Sequence, residues 1–392
     1  MAANPRVGRY TFQSGGTLEF MFVLSRLLPC VLVSVGLTHA AALSIAKQGF
    51  FYVGGHEGVD AMFVQYQIPS KKTAPWSVVM IHGQYQNGSN FLGTPDDRPG
   101  WAEYFLSHGF AVYIVDQVAR ARSPWDAAVD GPLASPTVDT LERQFTAIER
   151  FNLWPQARLH TQWPGRGLRG DPVFEQFRAS QNASIPVGSQ RMDQINRAAG
   201  AALVQRIGPA IVLTHSRSGP FGWEIADDVP SLVRAIVAVE PNGQPFYNEA
   251  PLATVPPVVA RQFGITYDRL TYDPPVTSMG DLAPKREASP QASDLVPCWL
   301  PGTPHKLPRL AGIPVLIVTG EASYHAAYDH CTSRFLTLAG VANDFVPLAS
   351  KGIHGNGHMM MLEKNNTQIA ALIADWILDR MRGDIKRATN RR

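Results

Sequence analysis

The sequence predicts an α/β domain built on a mostly parallel central sheet flanked by helices. Three observations carry this reading. Short continuous apolar runs of strand length occur over residues 77–81, 110–116, 210–214, 235–239 and 313–318. These runs do not alternate between apolar and polar residues, so each is expected to be buried on both faces, as parallel strands are. The segments between them are long enough for crossover helices, which join parallel strands with a fixed hand.

Taken in order, residues 50–53 and 61–66 read as two strands joined through Gly54-Gly55, a hairpin. The first buried strand, 77–81, precedes a helical stretch over 100–108, and the strand 110–116 follows directly. Strands over 210–214, 235–239 and 313–318 complete the sheet. The last helix is amphipathic, with Ile369, Leu372, Ile373, Trp376 and Ile377 at the spacing of one helical face. The basic stretch 386–392 reads as a solvated tail. Residues 124–205 and 244–308 are too long for simple crossovers. The first carries Trp154, Trp163, Phe174 and Phe177, and the second carries Pro256-Pro257 and Pro274-Pro275. Both are expected to be cap or lid insertions in a single domain over 43–392, because long loops on a rigid scaffold commonly shape binding sites.

The chain has 392 residues, 45% hydrophobic and 17% charged, with a formal net charge of +3. That hydrophobic content excludes global disorder. The charge balance, with no dense basic block in the body of the chain, argues against a nucleic-acid binder. Three cysteines exclude a disulfide framework and a four-cysteine zinc site. Residues 27–37 form an apolar run after Arg26 and before small residues at 40–42. This is the pattern of a signal peptide, and the run is shorter than the ~20 residues of a membrane span. Residues 1–42 are therefore expected to be a leader with an N-terminal extension, and the protein to enter the secretory pathway, with no stable membrane span after cleavage. Met21 is an alternative start. Asn87, Asn182 and Asn365 head glycosylation sequons. Cys298 and Cys331 remain after leader removal, either as a disulfide or as two thiols.

The segment most informative about chemistry is Thr214-His215-Ser216-Arg217-Ser218-Gly219. A buried strand runs straight into a serine and then into small residues, the setting of a nucleophile elbow. Thr214 and Ser218 stand where glycines are common, so the choice of Ser216 over Ser218 rests on its place directly after the strand. A serine nucleophile needs a base. The loop before the last helix supplies His358, with His354 as the alternative. A metal held by these two histidines is disfavoured, since the His-Glu-x-x-His glutamate is missing and Gly355 and Gly357 oppose a helix. The acid that orients the base is expected at the C-terminal end of a strand, where catalytic groups of open α/β sheets gather. Glu240 fits best, with Glu321 and then Asp329 as alternatives. Two backbone N–H groups must hold the oxyanion: that of Arg217, after the nucleophile, and that of Gln84 in the loop His82-Gly83-Gln84-Tyr85, with Tyr85 as its alternative. There is no Walker loop and no dinucleotide fingerprint, and no cofactor is expected.

Assembled in order, these features resemble the α/β-hydrolase superfamily. More narrowly they resemble a branch of secreted bacterial esterases whose catalytic Glu follows the sixth strand. The resemblance lies in the stretches 94–101, 103–106, 116–123, 214–219, 235–241 and 354–361, of which the last two are the specific ones. It implies the α/β-hydrolase fold and a triad of Ser216, Glu240 and His358. One departure stands out: the branch carries a Cys-Cys pair where this chain has Gln84-Tyr85.

The expected function is a serine hydrolase cleaving carboxylic esters or lactones through an acyl-enzyme, on a small-molecule substrate. An alternative is a tailoring enzyme of specialised, polyketide-like metabolism that uses the same triad. A non-catalytic binding protein on the same scaffold is the least favoured reading.

Overall fold

The computed structural model describes residues 42–56, 59–186, 190–248 and 257–389, with side chains to 382. All but the last residue of the expected leader lies outside these. Among the described residues, eight strands form one sheet: β1 (Ile45–Val53), β2 (Met62–Pro69), β3 (Ser77–Ile81), β4 (Val112–Asp116), β5 (Ala210–His215), β6 (Val233–Val239), β7 (Val315–Thr319) and β8 (Asn343–Pro347). Their spatial order is β1-β2-β4-β3-β5-β6-β7-β8. The β1–β2 hairpin and the β2–β4 pair are antiparallel, and the remaining neighbours are parallel.

Alternate residues of each central strand feed two separate cores, as the two-residue period of a strand requires. Val79, Ile81, Val212, Ile236 and Ile317 face one side. There they meet Ile195 and Leu203 of α3 (Gln190–Ile207), Phe221 and Ile225 of α4 (Gly219–Asp228), and Phe335 of α5 (Asp329–Leu338). Val78, Met80, Ile211, Leu213, Val237 and Val318 face the other side. They pack on Trp101 and Phe105 of α1 (Trp101–Ser107) and on Ile369 and Ile373 of α6 (Asn366–Thr389). The apolar stripe expected on the last helix is thus its buried face, and the helix continues to Thr389, past the start of the expected tail.

The insertions join these cores. Phe145, Trp163, and Phe174 and Phe177 of α2 (Pro172–Ala179) belong to the same buried cluster as α1 and α6. The second insertion contributes two small two-stranded pieces, Tyr247–Asn248 with Val258–Val259 and Lys285–Arg286 with Trp299–Leu300. A disulfide between Cys298 and Cys331 ties it to α5, with Cα atoms 5.3 Å apart. The C-terminal ends of β3, β4, β5, β6 and β7 open onto His82, Gln117, Ser216, Glu240 and Gly320, which meet at one side of the sheet.

Candidate active site

Ser216 follows β5 with a φ of 56°, in the left-handed region that an L-residue occupies only under constraint. The chain then makes a single 3-10 turn, Ser216–Ser218, and enters α4, whose first turn holds Pro220 at no hydrogen-bonding cost. The glycines that permit this sharp turn are displaced relative to the common motif. A Cβ on Gly219 would lie 2.6 Å from Pro241 Cβ, and one on Gly222 would lie 3.1 Å from Thr214 Cγ2. The bulk of Thr214 is therefore accommodated by the missing side chain of Gly222 on the facing helix.

His358 bridges the serine and the acid. Its Nε2 lies 2.9 Å from Ser216 Oγ, and its Nδ1 lies 2.5 Å from Glu240 Oε2. Glu240 directly follows β6, with a φ of 49°. Its carboxylate also accepts the Gly320 N–H at 2.7 Å and the Ser323 hydroxyl at 2.7 Å. Burial pushes the His358 imidazole well below its ordinary pKa, and the neighbouring His215 and His325 add to this. Burial also lifts the Glu240 carboxyl, with Asp329 adding and the Gly320 and Ser323 donors opposing.

The His358 ring is walled by aromatics: Phe145 at 5.5 Å, Tyr324 at 4.8 Å, His325 at 4.9 Å and His215 at 4.6 Å between ring centroids. The wall is drawn from the end of β5, the segment after β7 and the first insertion. His215 donates from Nε2 to the His358 carbonyl at 3.0 Å, and its burial lowers its own pKa to about 3, so it remains neutral.

The loop after β3 runs directly against Ser216. A Cβ on Gly83 would lie 2.9 Å from Ser216 Cβ and 3.0 Å from His215 Nδ1. Glycine is required there by close approach. Gln84 is buried, while Tyr85 takes a φ of 63° and its carbonyl accepts the Asn182 N–H at 2.6 Å. The side chain of Arg217 is buried too, bonded through Nη2 to Asp193 Oδ1 at 2.5 Å and lying over the rings of Phe221 and Tyr267.

The alternative residues have other occupations. Ser218 is fully buried; it donates to the Ile81 carbonyl at 2.9 Å and accepts the His215 N–H at 2.9 Å, pinning the elbow to β3. Glu321 receives His354 Nδ1 at 3.1 Å and the Gly355 N–H at 2.9 Å, so both alternatives brace the loop that carries His358. Asp329 holds His325 Nδ1 at 2.8 Å and accepts the Thr319 hydroxyl at 2.6 Å. Among the described residues, Glu240, His325 and His358 bring three metal-type donors together. Both ring nitrogens of His358 are already committed to Ser216 and Glu240, so an ion there would have to break that pair. Each sequon asparagine donates its Nδ2 within the fold: Asn87 and Asn182 to the Ser180 carbonyl, Asn365 to Asn356 Oδ1.

Sequence reasoning missed Tyr324, Ser323 and His325. Tyr324 packs on the His358 ring at 4.8 Å, beside Ser216. All three fall just after β7, next to the alternative acid Glu321, and the hydroxyl of Ser323 was itself the available signal for a group supporting Glu240.

No protein-family model matches the chain. It is 44% identical over 341 residues to the probable secreted lipase phiG of a fungal species (strain ATCC 74256), covering 84% of this chain and 88% of that protein. Among solved structures, a bacterial esterase superposes with a TM-score of 0.56 at 24% identity, covering 88% of this chain and 98% of the esterase. The second likeness is one of fold; the first extends along most of both sequences and agrees with export of the chain through the secretory pathway. The chain has the α/β-hydrolase fold and belongs to the family that includes this probable secreted fungal lipase.

Proposed function

We propose that the protein is a serine hydrolase that cleaves carboxylic esters or lactones. The observation that carries this is the unbroken chain Ser216 Oγ–His358 Nε2, His358 Nδ1–Glu240 Oε2, at 2.9 Å and 2.5 Å. His358, held neutral by burial, accepts the Ser216 proton on Nε2 as Oγ attacks the substrate carbonyl. The Nδ1–H donated to Glu240 fixes the tautomer and stabilises the imidazolium that forms. The N–H groups of Arg217 and Gln84 receive the negative charge that develops on the carbonyl oxygen. The imidazolium then protonates the departing alkoxide, leaving an acyl-serine. Water attacks the acyl carbon, its proton passes to His358 and then to Ser216, and the carboxylic acid leaves.

The name of the fungal relative points to ester substrates with lipid character, and the aromatic wall around His358 suits an apolar acyl or alcohol group. Ser216→Ala is expected to abolish hydrolysis of 4-nitrophenyl butyrate and labelling by a fluorophosphonate. A variant that still turns over the ester would overturn the assignment.

A further inference from the structure

The peptide that joins Gly83 to Gln84 is gripped on its carbonyl side. Gly83 O accepts a hydrogen bond from Arg120 Nη1 at 2.8 Å and a second from His82 Nδ1 at 2.9 Å. The tautomer of His82 is set by its other nitrogen, which accepts the Gln117 N–H at 3.1 Å, so Nδ1 carries the proton. Arg120 also reaches Gln84 Oε1 through Nη2 at 3.3 Å, and Gln84 Nε2 is tied to Ser184 Oγ at 2.7 Å. One guanidinium therefore spans both residues of the peptide.

The fold holds this cation under unfavourable conditions. Arg120 is 3% exposed. Asp116, an acid whose charge it feels, is bonded to Arg122 instead. A buried cation without a bonded acid is costly. The backbone on either side is strained as well, with φ of 58° at Ala119 and 50° at Ala121. Burial and the nearby Arg217 lower the Arg120 pKa to about 9, which still leaves it charged at neutral pH.

A trans peptide points its C=O and N–H in opposite directions. With the Gly83 carbonyl turned to Arg120 and His82, the Gln84 N–H points away from them, while Gly83 itself abuts Ser216. We infer that Arg120, supported by His82, is a positioning residue for the oxyanion-binding amide of Gln84: its charge, bonded to the carbonyl of that peptide, fixes the direction of the N–H and polarises it as a donor. The inference rests on the reading of Gln84 N–H as an oxyanion donor. A charge on the far side of the peptide acts most strongly on the oxyanion and weakly on a neutral ground-state carbonyl. Its effect therefore belongs to kcat.

The test uses the full chain with 4-nitrophenyl butyrate, comparing Arg120→Met, Arg120→Lys and Arg120→Gln, each checked by thermal melting. Removing an oxyanion donor outright costs about 10²–10³ in turnover, and Arg120→Met is expected to cost about 10- to 100-fold in kcat with KM within about threefold. Arg120→Lys should recover most of the rate. Arg120→Gln keeps a donor without the charge and should stay low. An Arg120→Met enzyme with wild-type kcat, or one whose loss lies wholly in KM, would overturn the inference. If the methionine variant does not fold, equal rates for the lysine and glutamine variants overturn it, and a lysine rate well above the glutamine rate supports it. Ser216→Ala separates the two readings: an active Ser216→Ala removes the hydrolase mechanism itself, whereas an inactive one beside an unimpaired Arg120→Met removes only the role of Arg120.

Discussion

The Tyr324 ring lies 4.8 Å from that of His358, inclined by 38°, on the same loop that supplies Ser323 to Glu240. Burial raises the pKa of its phenol well above the ordinary 10, so it stays protonated beside Ser216. Trp154 holds it in place, edge-on at 5.7 Å and itself bonded to the Ala322 carbonyl at 2.8 Å. In the proposed mechanism Ser216 gives its own proton to His358, so a bond between the two hydroxyls would have the phenol as donor. Tyr324→Phe keeps the ring packing and removes only the hydroxyl. A hydrogen bond contributes about 0.5–1.5 kcal/mol net, so kcat for a short ester should fall by roughly 3- to 10-fold with the melting temperature little changed. Unaltered kcat in a folded Tyr324→Phe enzyme would show that the contact is packing alone.

In the proposed mechanism the environment of His358 sets the acid limit of activity. Burial, then His215 and His325, depress its pKa below the ordinary 6.5. Protonation removes the base, and a lowered pKa moves that event to lower pH. The fall in kcat/KM on acidification, which reports the free enzyme, should therefore have its midpoint below pH 6.5. A pH–rate profile on a substrate without ionisable groups measures it. A midpoint at or above 6.5 would contradict a base held neutral by burial.

The parts of this architecture that could be read from sequence are those made of contiguous residues. β3, β5 and β7 are buried along their whole length, so their apolar runs announce them. β8 escaped because it closes the sheet edge: of Asn343–Pro347 only Val346 is buried, which leaves no run to see. As candidates that the fold brings together, Ser216, Glu240 and His358 could be picked out because each sits at a strand end or loop with a local signature. The groups that tune them could not be. Phe145 and Trp154 come from an insertion with no regular period, and Arg120 bonds a peptide 37 positions away in sequence. Such pairings arise only when the sheet brings the loops after β3 and β4 side by side, and single-sequence patterns carry no trace of that.

His160 links the first insertion to the loop that carries His358 and gives a prediction about stability. It is buried between Glu149 Oε2, 3.0 Å from Nδ1, and Glu363 Oε1, 2.9 Å from Nε2. Glu363 in turn accepts the Gly357 N–H at 2.9 Å, next to His358. Burial acts to lower the His160 pKa, but the bonds to Glu149 and Glu363 outweigh it and raise it to about 9. The folded state therefore holds this proton more tightly than the unfolded chain, whose histidine titrates near 6.5. The stabilisation is fully present below pH 6.5 and is lost as pH rises through about 9. At 1.36 kcal/mol per pKa unit, the span amounts to about 3 kcal/mol. Urea unfolding of the wild type and His160→Gln should show the variant markedly less stable at pH 6 and the gap narrowed by pH 10. A gap that stays constant across that range would mean that His160 is neutral in the fold and holds the loop that carries His358 by neutral hydrogen bonds.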